Sequence, residues 1–122
     1  MAQHPTQPLF VYGMLLRRDL QLDTFGRTAE RTNDTLPGYR LAYADIDLPQ
    51  VVALTGIRQH PVARRTGNAL DKVMGEVLAV TADELDAADE YAAPAYLRRR
   101  VRLGSGIAAW AYLPVAPPPV AD

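Results

Sequence analysis

Short apolar runs alternate with polar or glycine-containing breaks along this chain, and few stretches are long enough for a helix. Leu9-Phe10-Val11-Tyr12 is apolar and aromatic and is closed by Gly13, as expected of a buried strand ending in a loop that needs close backbone approach. From 15 to 22, Leu15, Leu16, Leu20 and Leu22 sit among Arg17, Arg18 and Asp19, which predicts a short helix. Residues 24–35 are polar and read as loop. Pro37-Gly38 is a turn signal, after which Tyr39, Leu41 and Tyr43 alternate with Arg40 and Ala42 as a half-buried strand does. Val51-Val52-Ala53-Leu54 reads as another β-prone run, followed by a loop holding His60-Pro61 and Thr66-Gly67-Asn68.

The second half is more regular. Met74 to Val80 is the best internal strand and runs straight into Thr81-Ala82-Asp83-Glu84. Thr81 as N-cap with Glu84 three residues on predicts a capping box, and the acids suit a helix N-terminus. The helix continues through Leu85, Ala88 and Asp89 and must stop before Pro94. Arg98 to Leu103 and Ile107 to Leu113 read as two strands joined by Gly104-Ser105-Gly106, a hairpin signal. Few helices and a terminal hairpin favour a mixed α+β sheet or barrel over a doubly wound fold.

Composition narrows the functional classes. The 122 residues suffice for one compact domain, here residues 8–113, with Pro-containing tails at 1–7 and 114–122. Thirteen Lys+Arg against fourteen Asp+Glu give a formal charge of −1, which offers no electrostatic reason to expect nucleic acid or an anionic membrane. Without cysteine, and with only His4 and His60, thiol chemistry is excluded and no metal cluster is expected. The N-terminus shows no secretory signal, and no run approaches a membrane span. A cytoplasmic domain is expected.

Four segments could carry chemistry. The strand-to-helix turn Tyr12-Gly13-Met14-Leu15 would gather unpaired backbone N–H groups around one concavity, suited to a carboxylate or an oxyanion. The segment from Leu85 to Arg98 ends a helix with Asp86, Asp89 and Glu90, then passes an apolar gap to Tyr96. Arg98, Arg100 and Arg102 would share one face of a strand, more readily a solvated face paired to acids than a nucleic-acid patch. His60, beside Arg64 and Arg65, has no nucleophile constellation around it and reads as a loop residue. Taken alone, the first two segments have plain structural readings as well: a glycine turn, and a solvated helix end before a proline loop.

Together, in this order and at this separation, those first two segments resemble the γ-glutamylcyclotransferase-like family. The likeness rests on Leu9-Phe10-Val11-Tyr12-Gly13-Met14-Leu15, then Gly75-Glu76-Val77, Leu85, Ala88-Asp89-Glu90-Tyr91, Tyr96 and Arg98, and spans about residues 9 to 113. It implies a small mixed β-barrel flanked by short helices, with a cavity at the opening loop, where Tyr12, Gly13, Met14 and Leu15, together with Tyr96, would bind substrate. It further implies a helix-end glutamate as general acid/base. That acid takes a proton from the α-amine of a γ-glutamyl group, which attacks its own γ-carbonyl to give 5-oxoproline and a released amine or amino acid. No cofactor or metal is implied, the partner is a small γ-glutamyl substrate, and the chain would be a monomer or homodimer.

The chain departs from this pattern at the decisive position. Matching Asp89-x-Tyr91, Tyr96 and Arg98 places the family glutamate at 92, where this sequence has Ala92. Glu90 could substitute only in a different helix end, because two residues along a helix turn a side chain by about 200°. Ala92 therefore marks a chain that has lost its acid and serves as a binding module, or a deliberate Glu→Ala change. In either case the cyclisation is expected to be absent or impaired. Met14 stands where the family usually carries Ser or Thr. A third role, docking of a partner on the proline-rich tail, remains open from sequence.

Overall fold

The computed structural model describes residues 6–45, 49–93 and 95–114. In chain order the elements are β1 (Gln7–Val11), a 3-10 turn (Met14–Leu16), α1 (Arg18–Phe25), β2 (Arg31–Pro37), β3 (Tyr39–Asp45), α2 (Pro49–Thr55), β4 (Gln59–Arg65), β5 (Lys72–Val80), α3 (Ala82–Ala92), β6 (Tyr96–Arg102) and β7 (Ala108–Pro114). Five strands form one sheet in the order β2-β5-β1-β7-β6, and β3 and β4 form a separate antiparallel pair.

β1 explains its own composition. It lies at the centre of the sheet, antiparallel to β5 and parallel to β7, and is covered on both faces. Leu9 and Val11 join a core with α1, α2 and α3, including Leu20, Val51, Leu85 and Ala88. Phe10 and Tyr12 point the other way, into a second core with Leu36, Val73 and Ala63, the last on β4. A strand buried on both faces reads as a continuous apolar run. Its neighbour β5 passes so close that a Cβ at Gly75 would collide with the Val11 carbonyl and the Phe10 ring, so only glycine fits there.

The mixed α+β architecture matches the sequence expectation, with one difference in closure. The sheets do not close into a barrel: among the described residues, β2 and β6 are the edges of the five-stranded sheet. The two edges are tied at one end, where the Gly104 N–H, just past β6, donates to the Thr35 carbonyl at 2.8 Å. There the Ser105 amide and hydroxyl also donate to the Asp34 carboxylate, at 3.1 and 2.6 Å.

The structure differs from the local sequence expectations in four places. The segment 51–54 is helical within α2 rather than a strand. Pro49 starts the helix, Val51 is its buried contact, and Gly56, at φ +74°, closes it with an N–H to the Val52 carbonyl at 2.8 Å. The segment 24–35 is not all loop, since α1 runs to Phe25 and β2 begins at Arg31. Its strand residues are polar because β2 is an edge whose one fully buried side chain is Leu36. The helix expected over 15–22 is divided into the 3-10 turn and α1. His60 and Pro61 lie in β4, opposite Ala44 and Tyr43, and His60 is wholly buried. The expected tails fall largely outside the described residues, which end at 114.

Candidate functional site

The site is built where the central strand hands over to the 3-10 turn. β1 ends at Val11, and the chain then crosses the sheet end through Tyr12 and Gly13. A Cβ at Gly13 would sit 3.1 Å from Pro61 Cγ of β4, so the glycine allows this loop to lie against the hairpin. The turn closes through the Leu16 N–H to the Gly13 carbonyl at 3.0 Å. Gln21 of α1 anchors it by donating to the Leu15 carbonyl at 2.8 Å.

α3 supplies the opposite wall. Its capping box is complete: the Glu84 N–H donates to Thr81 Oγ1 at 3.2 Å, and the Thr81 N–H donates to Glu84 Oε1 at 2.9 Å. That start fixes the rotation of the helix, whose buried stripe is Leu85, Ala88, Tyr91 and Ala92. Glu90 is exposed on the other side, as the 200° turn requires.

These walls enclose a cavity of about 50 Å³ bordered by Phe10, Val11, Tyr12, Gly13 and Leu15 on one side. Pro61, Tyr91, Ala92, Tyr96 and Tyr112 complete it. Ala92 and Gly13 thus face one hollow. Among the described residues, neither Glu90 nor any other carboxylate lines it.

The polar groups of the cavity are phenols, and three of the four are already engaged. Tyr12 donates to the Tyr112 carbonyl at 2.6 Å and accepts from the Ala63 N–H at 3.2 Å. Tyr96 donates to the Pro61 carbonyl at 3.0 Å. Tyr112 donates to Asp89 Oδ1 at 2.6 Å, and the other oxygen of Asp89 pairs with Arg98 at 3.3 Å. The Tyr91 hydroxyl is buried with no partner among the described residues. Burial pushes the Tyr96 phenol up to about 12 and raises those of Tyr12, Tyr91 and Tyr112 further. For Tyr112 the bond to Asp89 adds to that rise. All four are therefore protonated near neutral pH and cannot serve as bases.

Of the residues the sequence singles out, Tyr12, Gly13, Leu15, Ala92 and Tyr96 line this one cavity and Glu90 does not; Met14 opens the adjoining 3-10 turn. Sequence reasoning missed Pro61, Tyr91 and Tyr112. Strand periodicity on β7 could have suggested Tyr112, which shares a face with Trp110, but nothing local marks Pro61. The arginine strand is partly as expected: Arg98 pairs with Asp89, and the guanidinia of Arg98 and Arg100 lie over the Trp110 ring at 4.6 and 4.8 Å. Among the described residues no helix is long and apolar enough to cross a membrane.

Comparison with known proteins agrees with this architecture. No curated protein sequence matches. Among solved structures, that of At5g39720.1 from Arabidopsis thaliana superposes with a TM-score of 0.70 at 24% identity, over 99% of this chain and 74% of that one. An uncharacterized protein from Homo sapiens, loc79017, gives 0.72 at 17% identity, over 91% and 68%. A structure described as a gamma-glutamyl cyclotransferase gives 0.71 at 18% identity, over 90% and 67%. At these identities the likeness speaks for the fold. The family model for gamma-glutamyl cyclotransferase, AIG2-like proteins matches residues 9–121, and the chain belongs to that family.

Proposed function

We propose that this chain keeps the cavity of a γ-glutamylcyclotransferase-like protein in a form that binds a small γ-glutamyl or carboxylated metabolite and does not turn it over efficiently. One observation carries the reading: Ala92, where the resemblance puts the family acid, lines the same cavity as Gly13 and offers it only a methyl group. In the parent reaction the α-amine attacks its own γ-carbonyl. Closure of a five-membered ring makes the attack intramolecular, so proximity is built into the substrate. The protein must still take a proton from the ammonium, return one to the leaving amine and stabilise the tetrahedral oxyanion.

Backbone N–H groups of the loop from Tyr12 through Gly13 and Met14 to Leu15 are the proposed oxyanion donors, and Tyr96 bounds the ligand opposite them. Among the described residues, no side chain of the cavity lining is suited to take the proton. Glu90 faces solvent, and the Asp89 carboxylate is held by Tyr112 and Arg98. Loss of a general base removes about 10² to 10⁴ in rate.

Calorimetry with γ-glutamyl amines and γ-glutamyl amino acids, run beside an assay for 5-oxoproline, tests the reading. Saturable binding with little or no turnover is expected, and A92E should raise 5-oxoproline release by at least about 10²-fold. Saturable binding to both proteins with no turnover by folded A92E would identify a dedicated binding module. Absence of binding by either protein overturns the proposal.

A further inference from the structure

Among the described residues, β6 ends the five-stranded sheet with no strand beyond it. The hairpin that follows reveals which of its backbone groups face outward. The Leu103 N–H donates to the Ile107 carbonyl and the Gly106 N–H to the Leu103 carbonyl, both at 2.9 Å, with Gly106 at φ +96°. This is a three-residue loop with a glycine bulge, so Leu103 and Ile107 are a hydrogen-bonded pair. Such pairs alternate with non-bonded ones along an antiparallel ladder. Counting back, Val101 bonds with Ala109 and Arg99 with Ala111. The N–H and C=O of Arg98, Arg100 and Arg102 therefore point away from β7, to the open edge. The Gly104 N–H, next in that series, does face outward: it is the group that reaches Thr35 across the seam.

Beyond this edge lies a cavity of about 480 Å³, far larger than the one beside Ala92. Leu36, Gly38 and Tyr39 form one wall, Arg100, Val101 and Arg102 the other, and Arg65 joins them from β4. β2 is poorly equipped to fill the gap itself. Pro37 has no N–H, and the Thr35 N–H is taken by the Asp34 carboxylate at 2.8 Å.

We infer that this slot receives an extended acidic peptide segment of a partner protein, added as a strand along β6. Backbone groups of Arg100 and Arg102 supply the ladder, and the half-buried Tyr39 and Val101 supply apolar contact for alternate side chains. Charge selects the occupant. Among the described residues the slot is lined by three arginines and no carboxylate. A second copy docking β6 on β6 would set the Arg98-Arg99-Arg100 run against itself, and like charges opposed across strands are destabilising. Charge on an edge strand is a device against such self-pairing. An acidic strand converts the same repulsion to attraction.

Fluorescence anisotropy with a labelled, end-blocked Glu-Val-Glu-Val-Glu-Val-Glu peptide tests the inference. Saturable binding with a Kd below about 1 mM at low salt is expected, weakening as salt rises. A version with Lys for Glu should bind at least about tenfold more weakly, as should one N-methylated at alternate residues, which cannot complete the ladder. R100P removes one outward N–H without breaking a bond to β7, and should weaken the acidic peptide about fivefold or more. Should R100P fail to fold, the double variant R65E/R102E should instead reverse the preference toward the lysine peptide. No binding at 1 mM, or equal binding of the N-methylated peptide, overturns the inference. A (dT)10 oligonucleotide that binds as tightly as the acidic peptide would show a general polyanion surface and overturn it too.

Discussion

The Tyr12 hydroxyl and the Tyr112 carbonyl meet at 2.6 Å in the buried wall of the cavity, and the same hydroxyl accepts the Ala63 N–H at 3.2 Å. One phenol thus ties β1 to β7 and to the hairpin strand β4. Removing it leaves a buried acceptor and a buried donor without partners, each of which carries a desolvation penalty of about 1–3 kcal/mol. Y12F should therefore lower the unfolding free energy by at least about 1–3 kcal/mol in urea titrations. Because the hydroxyl is fully engaged in the fold, ligand affinity of the folded variant should change little. A stability equal to that of the parent would show that this bond does not hold the wall together.

Tyr91 is the contrasting case. Its hydroxyl is buried without a partner among the described residues, and the side chain is 8% exposed. Phenylalanine keeps the ring packing and removes the unsatisfied group. Y91F should leave the free protein as stable as the parent, or more stable by up to about 1–2 kcal/mol. Paired urea titrations should lower the midpoint of Y12F and leave that of Y91F unchanged or raised. A destabilised Y91F would mean that the hydroxyl has a partner after all.

Much of this arrangement was legible in the sequence wherever a local pattern and its tertiary role coincide. The apolar run of β1 is continuous because both its faces are buried. The pairing of Thr81 with Glu84 foretold a reciprocal cap, and the cap in turn set the rotation that buries Ala92 and exposes Glu90. Elsewhere pattern and role diverge. β2 is polar because one ladder to β5 suffices to hold an edge strand, so no alternation announces it. Val51-Val52 has β propensity, yet helix α2 buries Val51 in the core, and tertiary packing overrides the preference. Pro61 enters the cavity only because the hairpin folds back over Gly13, a relationship between distant residues that no local spacing records.

The cap on α3 also predicts an acid response. Arg27 donates two bonds of 2.7 Å to the Glu84 carboxylate, and these, with the Thr81 N–H, hold it below the usual carboxylate range. A depressed folded value means that this stabilisation is complete above the unfolded value of about 4.3 and is lost as pH falls through the folded one. E84Q should lower stability at pH 7 and flatten the decline below about pH 4.5. T81A, which removes only the other half of the cap, should cost about 1 kcal/mol and leave that acid slope in place. Unfolding free energies at a series of pH values distinguish the two variants.

His60 predicts a separate response nearer neutrality. The ring is wholly buried, and neither nitrogen has a partner among the described residues. Burial disfavours the imidazolium and holds its pKa below the ordinary histidine value. The unfolded chain therefore binds a proton at a pH where the folded protein does not, so stability rises with pH through this range. The contribution is fully present above about pH 6.5 and declines as acid draws the proton into the unfolded state. H60M, an apolar side chain of adaptable shape, removes the titration and the unpaired nitrogens together. Its unfolding free energy should change less than the parent's between pH 7.5 and pH 5.5, and match or exceed the parent's at the lower value. Equal pH dependence in the two proteins would show that His60 is protonated, or solvated, within the fold.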